Sequence, residues 1–370
     1  MAVETAVERL YNFSAGPAAI PLSVLQQAQK ELLSLPGCGA SVMEISHRSP
    51  QFGDVMAEAE QRLRRLLDVP ENYRVLFLQG GSRLQFSMVP MNLMLADSSA
   101  NYLLSGAWGK NALSEARKSG AVNVVWDGAT TNYDRLPRQD DVTLDSNASY
   151  LHLTSNETIQ GVQFQEDLDW GDVPVVGDMS SDFLSRPVDV SRYGLIYACA
   201  QKNAGLAGLT VVIIRDDLLD RSSDGLPGYL NYRLHAEANS LWNTPPTFGI
   251  YLFGLITKWL EEEVGGLSAM RKQNQDQAKS LYDVVDASDG FYQGHAQPDC
   301  RSLMNVTFRL PNEGLQSQFI SEAAEHQLDA LKGHRSVGGI RASIYNAMTD
   351  AGVDVLRQFM HDFRDRHANR

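Results

Sequence analysis

Apolar residues along the chain fall into short blocks that alternate between two spacings. RVLFLQ at 74–79, NYLL at 101–104, VNVVW at 122–126, YLHL at 150–153, VPVVGD at 173–178, GLIYACA at 194–200 and LTVVIIR at 209–215 are short and nearly continuous. Apolar runs of about four to eight residues read as strands buried on both faces. Between them lie segments with helical spacing: PLSVLQQAQKELL opened by Pro21, the stretch with Met56, Ala59, Leu63 and Leu66, a segment from about 83 interrupted by Pro90, and WGKNALSEARK. Strands alternating with helices predict an α/β fold: a mixed, mostly parallel sheet flanked by helices. At Gly265-Gly266 the pattern changes to a long helical stretch, a strand LMNVTFRL at 303–310, a helix near 315–327, and a closing helix with Leu356, Phe359, Met360 and Phe363 on one face. This order predicts a large domain at 17–264 and a smaller α+β domain formed by 1–16 and 265–370.

With 370 residues, 43% of them hydrophobic, the chain can bury a core in more than one domain. Its net charge of −13 argues against nucleic-acid and anionic-membrane partners, so an anionic ligand has to be met by a local basic cluster. Cys38, Cys199 and Cys300 are odd in number and contain no CxxC pair, which indicates neither a disulfide framework nor a metal site. MAVETAVERLYNF lacks an apolar targeting core, and the run FGIYLFGLI is shorter than the roughly 20 residues that span a bilayer. The expectation is a soluble cytoplasmic protein. Asn156-Glu157-Thr158 then has nothing to do with glycosylation.

Ligands of open α/β sheets sit at the carboxyl ends of the strands. RVLFLQ runs into Gly80-Gly81-Ser82-Arg83, which opens a helix and so offers free N–H groups to an anion, although a Gly-Gly turn is also an ordinary connection. VPVV ends in Gly177-Asp178, a carboxylate that is either a helix cap or the partner of a buried cation. Lys202 follows GLIYACAQ among Ala200, Ala204, Gly205, Ala207 and Gly208. At a buried strand end its amine would be desolvated and nucleophilic; otherwise it is a structural lysine. An amine, a carboxylate and a phosphate-ready turn together match the needs of pyridoxal phosphate: a Schiff-base lysine, a partner for the pyridine nitrogen, and a phosphate cradle.

The segments NFSAGPAAIP, ISHRS, FLQGGSRLQF, SNETIQG, GDMSSDFLSRPVDVSRYGLIYACAQKN, AGLTVVIIRDDLL, NTPPTF and GHRSVGGIRASIYNAM, in this order, resemble the phosphoserine aminotransferase family from about residue 11 to the C-terminus. The resemblance implies a fold-type I pyridoxal-phosphate enzyme acting as a homodimer. It would exchange an amino group between glutamate and 3-phosphohydroxypyruvate in serine biosynthesis, with a second role on phosphohydroxythreonine in pyridoxine biosynthesis. By the same resemblance Lys202 is the Schiff-base lysine, Asp178 the ring-nitrogen partner and Trp108 the stacking ring. Ser82, Arg83 and Gln201 hold the cofactor phosphate, and Thr158 lies near the ring hydroxyl. Asn243 and Thr244 reach the partner subunit's cofactor. Arg48, beside His47, meets the substrate carboxylate, and His334, Arg335 and Arg341 meet its phosphate. Cys199, Ala204 and Leu206 depart from the family's usual Gly, larger aliphatic and Pro, and strand alternation would point Cys199 away from Lys202.

Two other classes share parts of this pattern. A relative such as an alanine–glyoxylate aminotransferase or a cysteine lyase would keep Asp178 and Lys202 without the paired anion sites, and a non-catalytic binding module would keep the scaffold alone.

Overall fold

The computed structural model describes residues 9–368. The parts of the expected 1–16 segment and of the MAVETAVERLYNF reading that precede Arg9 lie outside the described residues. Seven strands form the central sheet: β1 (Tyr73–Gly80), β2 (Ser99–Leu104), β3 (Ala121–Asp127), β4 (Leu151–Thr154), β5 (Val175–Asp178), β6 (Leu195–Cys199) and β7 (Gly208–Arg215), in the order β1-β7-β6-β5-β4-β2-β3. Only β7 runs against its neighbours; every other pair is parallel.

Successive side chains of a strand point to opposite faces, and the sheet divides its apolar residues accordingly. Val75, Phe77, Leu151, Leu153, Ile196, Val211 and Ile213 enter one core with Phe52 and Phe253. Leu76, Leu78, Tyr150, Val176, Tyr197, Val212 and Ile214 enter the other with Phe86 and Leu113. The first face is covered by α1 (Leu22–Glu31), α2 (Pro50–Leu67) and α6 (Thr247–Trp259), the second by α3 (Ser82–Leu93) and α4 (Ala107–Ala116). Ser49 starts α2 by accepting the Phe52 N–H at 3.3 Å, with Pro50 at the first helical position, and Asp68 ends it in the left-handed region at φ 48°.

A third core gathers Phe13 with Leu281, Phe308, Phe319, Ile340, Phe359 and Phe363. It lies among α7 (Leu267–Asp286), α8 (Glu313–Glu325), α9 (Asp350–His367) and a three-stranded antiparallel sheet of β8 (Gln293–Gly294), β9 (Asn305–Arg309) and β10 (Ile340–Ser343). Tyr11–Asn12 pairs in parallel with Leu328–Asp329, which brings the beginning of the described chain to this core. Buried amides join it to the central sheet: Asn203 Oδ1 accepts the Asn346 N–H at 2.9 Å, and Asn156 Nδ2 donates to Asn305 Oδ1 at 2.8 Å.

Two elements differ from the sequence expectation. β3 is half-exposed rather than buried, because it closes the sheet edge with β2 as its sole neighbour. The strand bearing GLIYAC stops at Cys199, whose pairing with Thr210 is the last in β6, and the chain turns into a single helical turn, α5 (Ala200–Asn203). Lys202 therefore stands on a helical turn and is half-buried, not sealed at a strand end. Strand alternation consequently does not extend to Lys202. Cys199 and Ala204 are buried, and Leu206 packs against the first core.

Candidate active site

Asp178 closes β5, with its side chain 3% exposed. Its Oδ1 accepts the Ser180 N–H at 3.0 Å and the Ser180 hydroxyl at 2.5 Å. Burial pushes its pKa up, while Lys202 and Ser180 favour the ionised form. The Ser82 hydroxyl is 2.5 Å from that of Ser180, and since Ser180 gives its proton to Asp178, Ser82 donates to Ser180. Two hydroxyls thus connect the carboxylate to the first residue of α3.

The turn before α3 is shaped for an anion. Gly80 has φ 95°, and a Cβ there would come within 2.9 Å of the Leu84 side chain; a Cβ on Gly81 would meet nothing within 4 Å. No side chain caps α3, so the N–H groups of Ser82 and Arg83 at the positive end of the helix dipole are left without a side-chain acceptor. The Arg83 guanidinium lies 5.7 Å from the centre of the Trp108 ring.

Lys202 donates from Nζ to Thr158 Oγ1 at 2.7 Å, and the same nitrogen is 5.0 Å from the Trp108 ring centre. Gly16 backs the lysine stem, since a Cβ there would sit 3.1 Å from Lys202 Cγ. Two polar atoms at the site are buried without a partner: Trp108 Nε1 and Gln201 Oε1. Buried polar groups in native proteins are nearly always paired, so both point to a bound group.

Sequence reasoning missed the residue that fixes Trp108. Glu157 is fully buried, and its Oε2 and Oε1 accept the backbone N–H groups of Trp108 and Gly109 at 3.0 and 2.8 Å. Burial pushes its pKa up to about 7, against the pull of those two N–H groups. In the sequence Glu157 is legible only as a carboxylate in the otherwise uncharged LTSNETI. His152, also buried, is kept neutral by desolvation, which lowers its pKa to about 3; its Nε2 lies 2.9 Å from the Tyr197 hydroxyl. Tyr197 is the register partner of Asp178 on β6.

Residues 10–356 match the family Aminotransferase class-V. Phosphoserine aminotransferase from Rhodopirellula baltica is 54% identical, over 98% of this chain and 96% of its own length. The chain belongs to this family. Among solved structures, phosphoserine aminotransferase from Bacillus circulans subsp. alkalophilus superposes with a TM-score of 0.95 at 48% identity, covering 97% of this chain and 99% of that one. Pyridoxal-phosphate-bound phosphoserine aminotransferase from Trichomonas vaginalis gives 0.91 at 42%, covering 95% and 100%. The chain is thus an aminotransferase with the fold-type I architecture.

The remaining expected residues of the aminotransferase divide into two groups. Arg341, on β10, is half-buried and has no ion-pair partner among the described residues; burial lowers its pKa. With His334, Thr307 and Ile159 it lines a small cleft, and the pKa of His334 is lowered by burial and by the charges of Arg341 and Arg335. Arg335 itself is exposed. His47 and Arg48 lie in the loop before α2, and no side-chain hydrogen bond or ion pair among the described residues ties them to the Lys202 group. The carbonyl of Thr244 accepts Gln79 Nε2 at 2.7 Å and Asn243 Nδ2 at 3.1 Å, which sets both residues beside the end of β1. Within the described chain, hydrogen bonds and ring contacts link Lys202 with Thr158 and Trp108, Trp108 with Arg83, and Ser82 through Ser180 with Asp178.

Proposed function

We propose that this enzyme transfers the amino group of glutamate to 3-phosphohydroxypyruvate, giving phosphoserine and 2-oxoglutarate. The cofactor is pyridoxal phosphate, and the residues fit it. Lys202 is available as the amine and Asp178 as the partner of the ring nitrogen. The open Gly81 cradle with Ser82 and Arg83 suits the phosphate, to which Gln201 can offer only its amide NH2, and Trp108 suits the ring face. The observation that carries the reading is the Lys202 amine held between Thr158 and the Trp108 ring, with Asp178 linked through two serines to the phosphate turn.

Pyridoxal phosphate, when bound, supplies the electron sink that makes the substrate Cα–H bond labile. Lys202 takes the proton from Cα of glutamate in the first half-reaction and delivers one to Cα of the new amino acid in the second. Asp178, whose ionised form Lys202 and the Ser180 hydroxyl and N–H favour against burial, would hold the proton on the ring nitrogen of the bound cofactor. Arg48, Arg335 and Arg341 supply the positive charge for a substrate bearing both carboxylate and phosphate, with His47 and His334 as neighbouring polar contacts. In a chain of net charge −13, an unpaired half-buried guanidinium such as Arg341 calls for an anion. The 2-oxoglutarate leaves before the phosphorylated ketoacid enters, so kinetics are ping-pong.

The same reading makes the enzyme a cytoplasmic homodimer in which Asn243 and Thr244 serve the partner subunit's cofactor. It divides the chain into 17–264 and the joined 1–16 and 265–370. It serves serine biosynthesis, with phosphohydroxythreonine as a further substrate in pyridoxine biosynthesis. No helix among the described residues is long and apolar enough to cross a membrane.

Glutamate is expected to bleach the visible absorbance of the purified holoenzyme, and 3-phosphohydroxypyruvate to restore it. Restoration by pyruvate or glyoxylate alone would instead identify a class-V relative with a different substrate. Arg341→Ala is expected to raise KM for the phosphorylated ketoacid about 10–100-fold, the worth of a charge-assisted hydrogen bond, with a smaller change in kcat. Steady-state kinetics with varied ketoacid check this.

A further inference from the structure

We propose that Glu157 is a positioning residue for transamination: its buried carboxylate locks the N-terminus of α4, and with it Trp108, onto the segment whose Thr158 holds Lys202. The inference rests on the reading of Trp108 as the ring that covers the cofactor.

The N-cap of α4 is Gly106, which has no side chain to offer, so the first N–H groups of the helix need acceptors from elsewhere. All come from one segment. Gln160 Oε1 accepts the Ala107 N–H at 3.3 Å, and the two oxygens of Glu157 take the next two, those of Trp108 and Gly109. A carboxylate at a helix N-terminus is favoured by the dipole as well as by these bonds. The fit is close: a Cβ on Gly106 would lie 2.5 Å from Glu157 Cδ, and one on Gly109 would lie 3.5 Å from Oε1. Thr158, the next residue, accepts the Lys202 amine. One carboxylate thus sets the distance between a ring on α4 and an amine on α5, two elements with no other short polar link between these residues.

Only the ionised carboxyl can accept both N–H groups, because protonation turns one oxygen into a donor. The groups that face it electrostatically are Asp178 from β5, Lys202 from α5 and Tyr133 from the loop after β3; α4 presents only backbone N–H groups. Glu157 titrates near 7, so the lock is complete above that pH and loosens as pH falls through it. A glutamate that only stabilised the fold would, when replaced by glutamine, change unfolding and leave the affinity for pyridoxal phosphate unchanged.

The test is the affinity of the apoenzyme for pyridoxal phosphate, measured by absorbance titration at pH 6 and pH 8.5 for wild type, Glu157→Gln and Gly106→Ala. Glu157→Gln is expected to weaken binding about tenfold at pH 8.5, as for the loss of a hydrogen bond to a charged group, and to approach wild type at pH 6. Gly106→Ala pushes the helix end off the carboxylate without changing any charge, and should weaken binding at pH 8.5 even if the glutamine variant fails to fold. Wild-type affinity in both variants at pH 8.5, or a Glu157→Gln deficit equal at the two pH values, would overturn the proposal. A wild-type protein that takes up no pyridoxal phosphate would instead overturn the cofactor assignment itself.

Discussion

Lys202→Ala is expected to lower turnover by at least about 10³-fold and to abolish the visible absorbance of the holoenzyme. The Nζ is held at 2.7 Å from Thr158 Oγ1 and 5.0 Å from the Trp108 ring centre. A positioned general base contributes about 10²–10⁴-fold by itself, and a nucleophilic amine adds to this. The substitution should leave the fold intact, because Lys202 is half-buried on a single helical turn whose neighbours Ala200 and Asn203 make the packing and polar contacts. Thermal unfolding of the apoenzyme within a few degrees of wild type, together with the kinetic loss, checks both halves.

Arg186→Ala is expected to destabilise the protein by about 3–5 kcal/mol, the cost of leaving one member of a buried ion pair alone. The Arg186 side chain is 5% exposed and pairs bidentately with Asp167 at 2.7 and 3.1 Å. Asp167 also accepts the Tyr193 hydroxyl at 2.9 Å and the Asp189 N–H at 3.0 Å. Burial acts to raise the Asp167 pKa, but Arg186 and these donors hold it below the ordinary value of 3.8. A carboxyl whose folded pKa is depressed contributes stability that is full above its unfolded pKa and is lost as pH falls below it. Denaturant unfolding between pH 7 and pH 3 should therefore show a steeper acid loss in wild type than in the variant.

The strands buried on both faces were legible because their apolar runs are continuous, and the carboxylate and lysine stood out as charges at the ends of such runs. β3 has the same composition yet only one neighbour, and an edge position is decided by sheet order, which periodicity does not contain. The helical turn at Ala200–Asn203 was hidden for a related reason: β6 stops where its pairing with β7 ends, not where its apolar residues do. The residues supporting the site were harder still. Ser180 and Glu157 act through atoms placed by strands and helices far along the chain, and in sequence they are a serine pair and the middle of a sequon. Family resemblance carried Ser82, Trp108 and Thr158; physical pattern alone reached Asp178, Lys202 and the glycine turn.

The single reversed strand has a consequence for the order in which the chain can assemble. β1 sits at the sheet edge, and its sole partner is β7, paired along its whole length from Tyr73 with Arg215 to Gly80 with Gly208. During synthesis β1 leaves the ribosome well before β7, so an apolar strand waits with its hydrogen-bonding groups unpaired. Such non-local pairings are slow and leave sticky edges exposed in the interim. The glycine turn at the end of β1 thus acquires its paired strand only when the nascent chain has passed residue 215, so the surroundings proposed for the cofactor are completed late in synthesis.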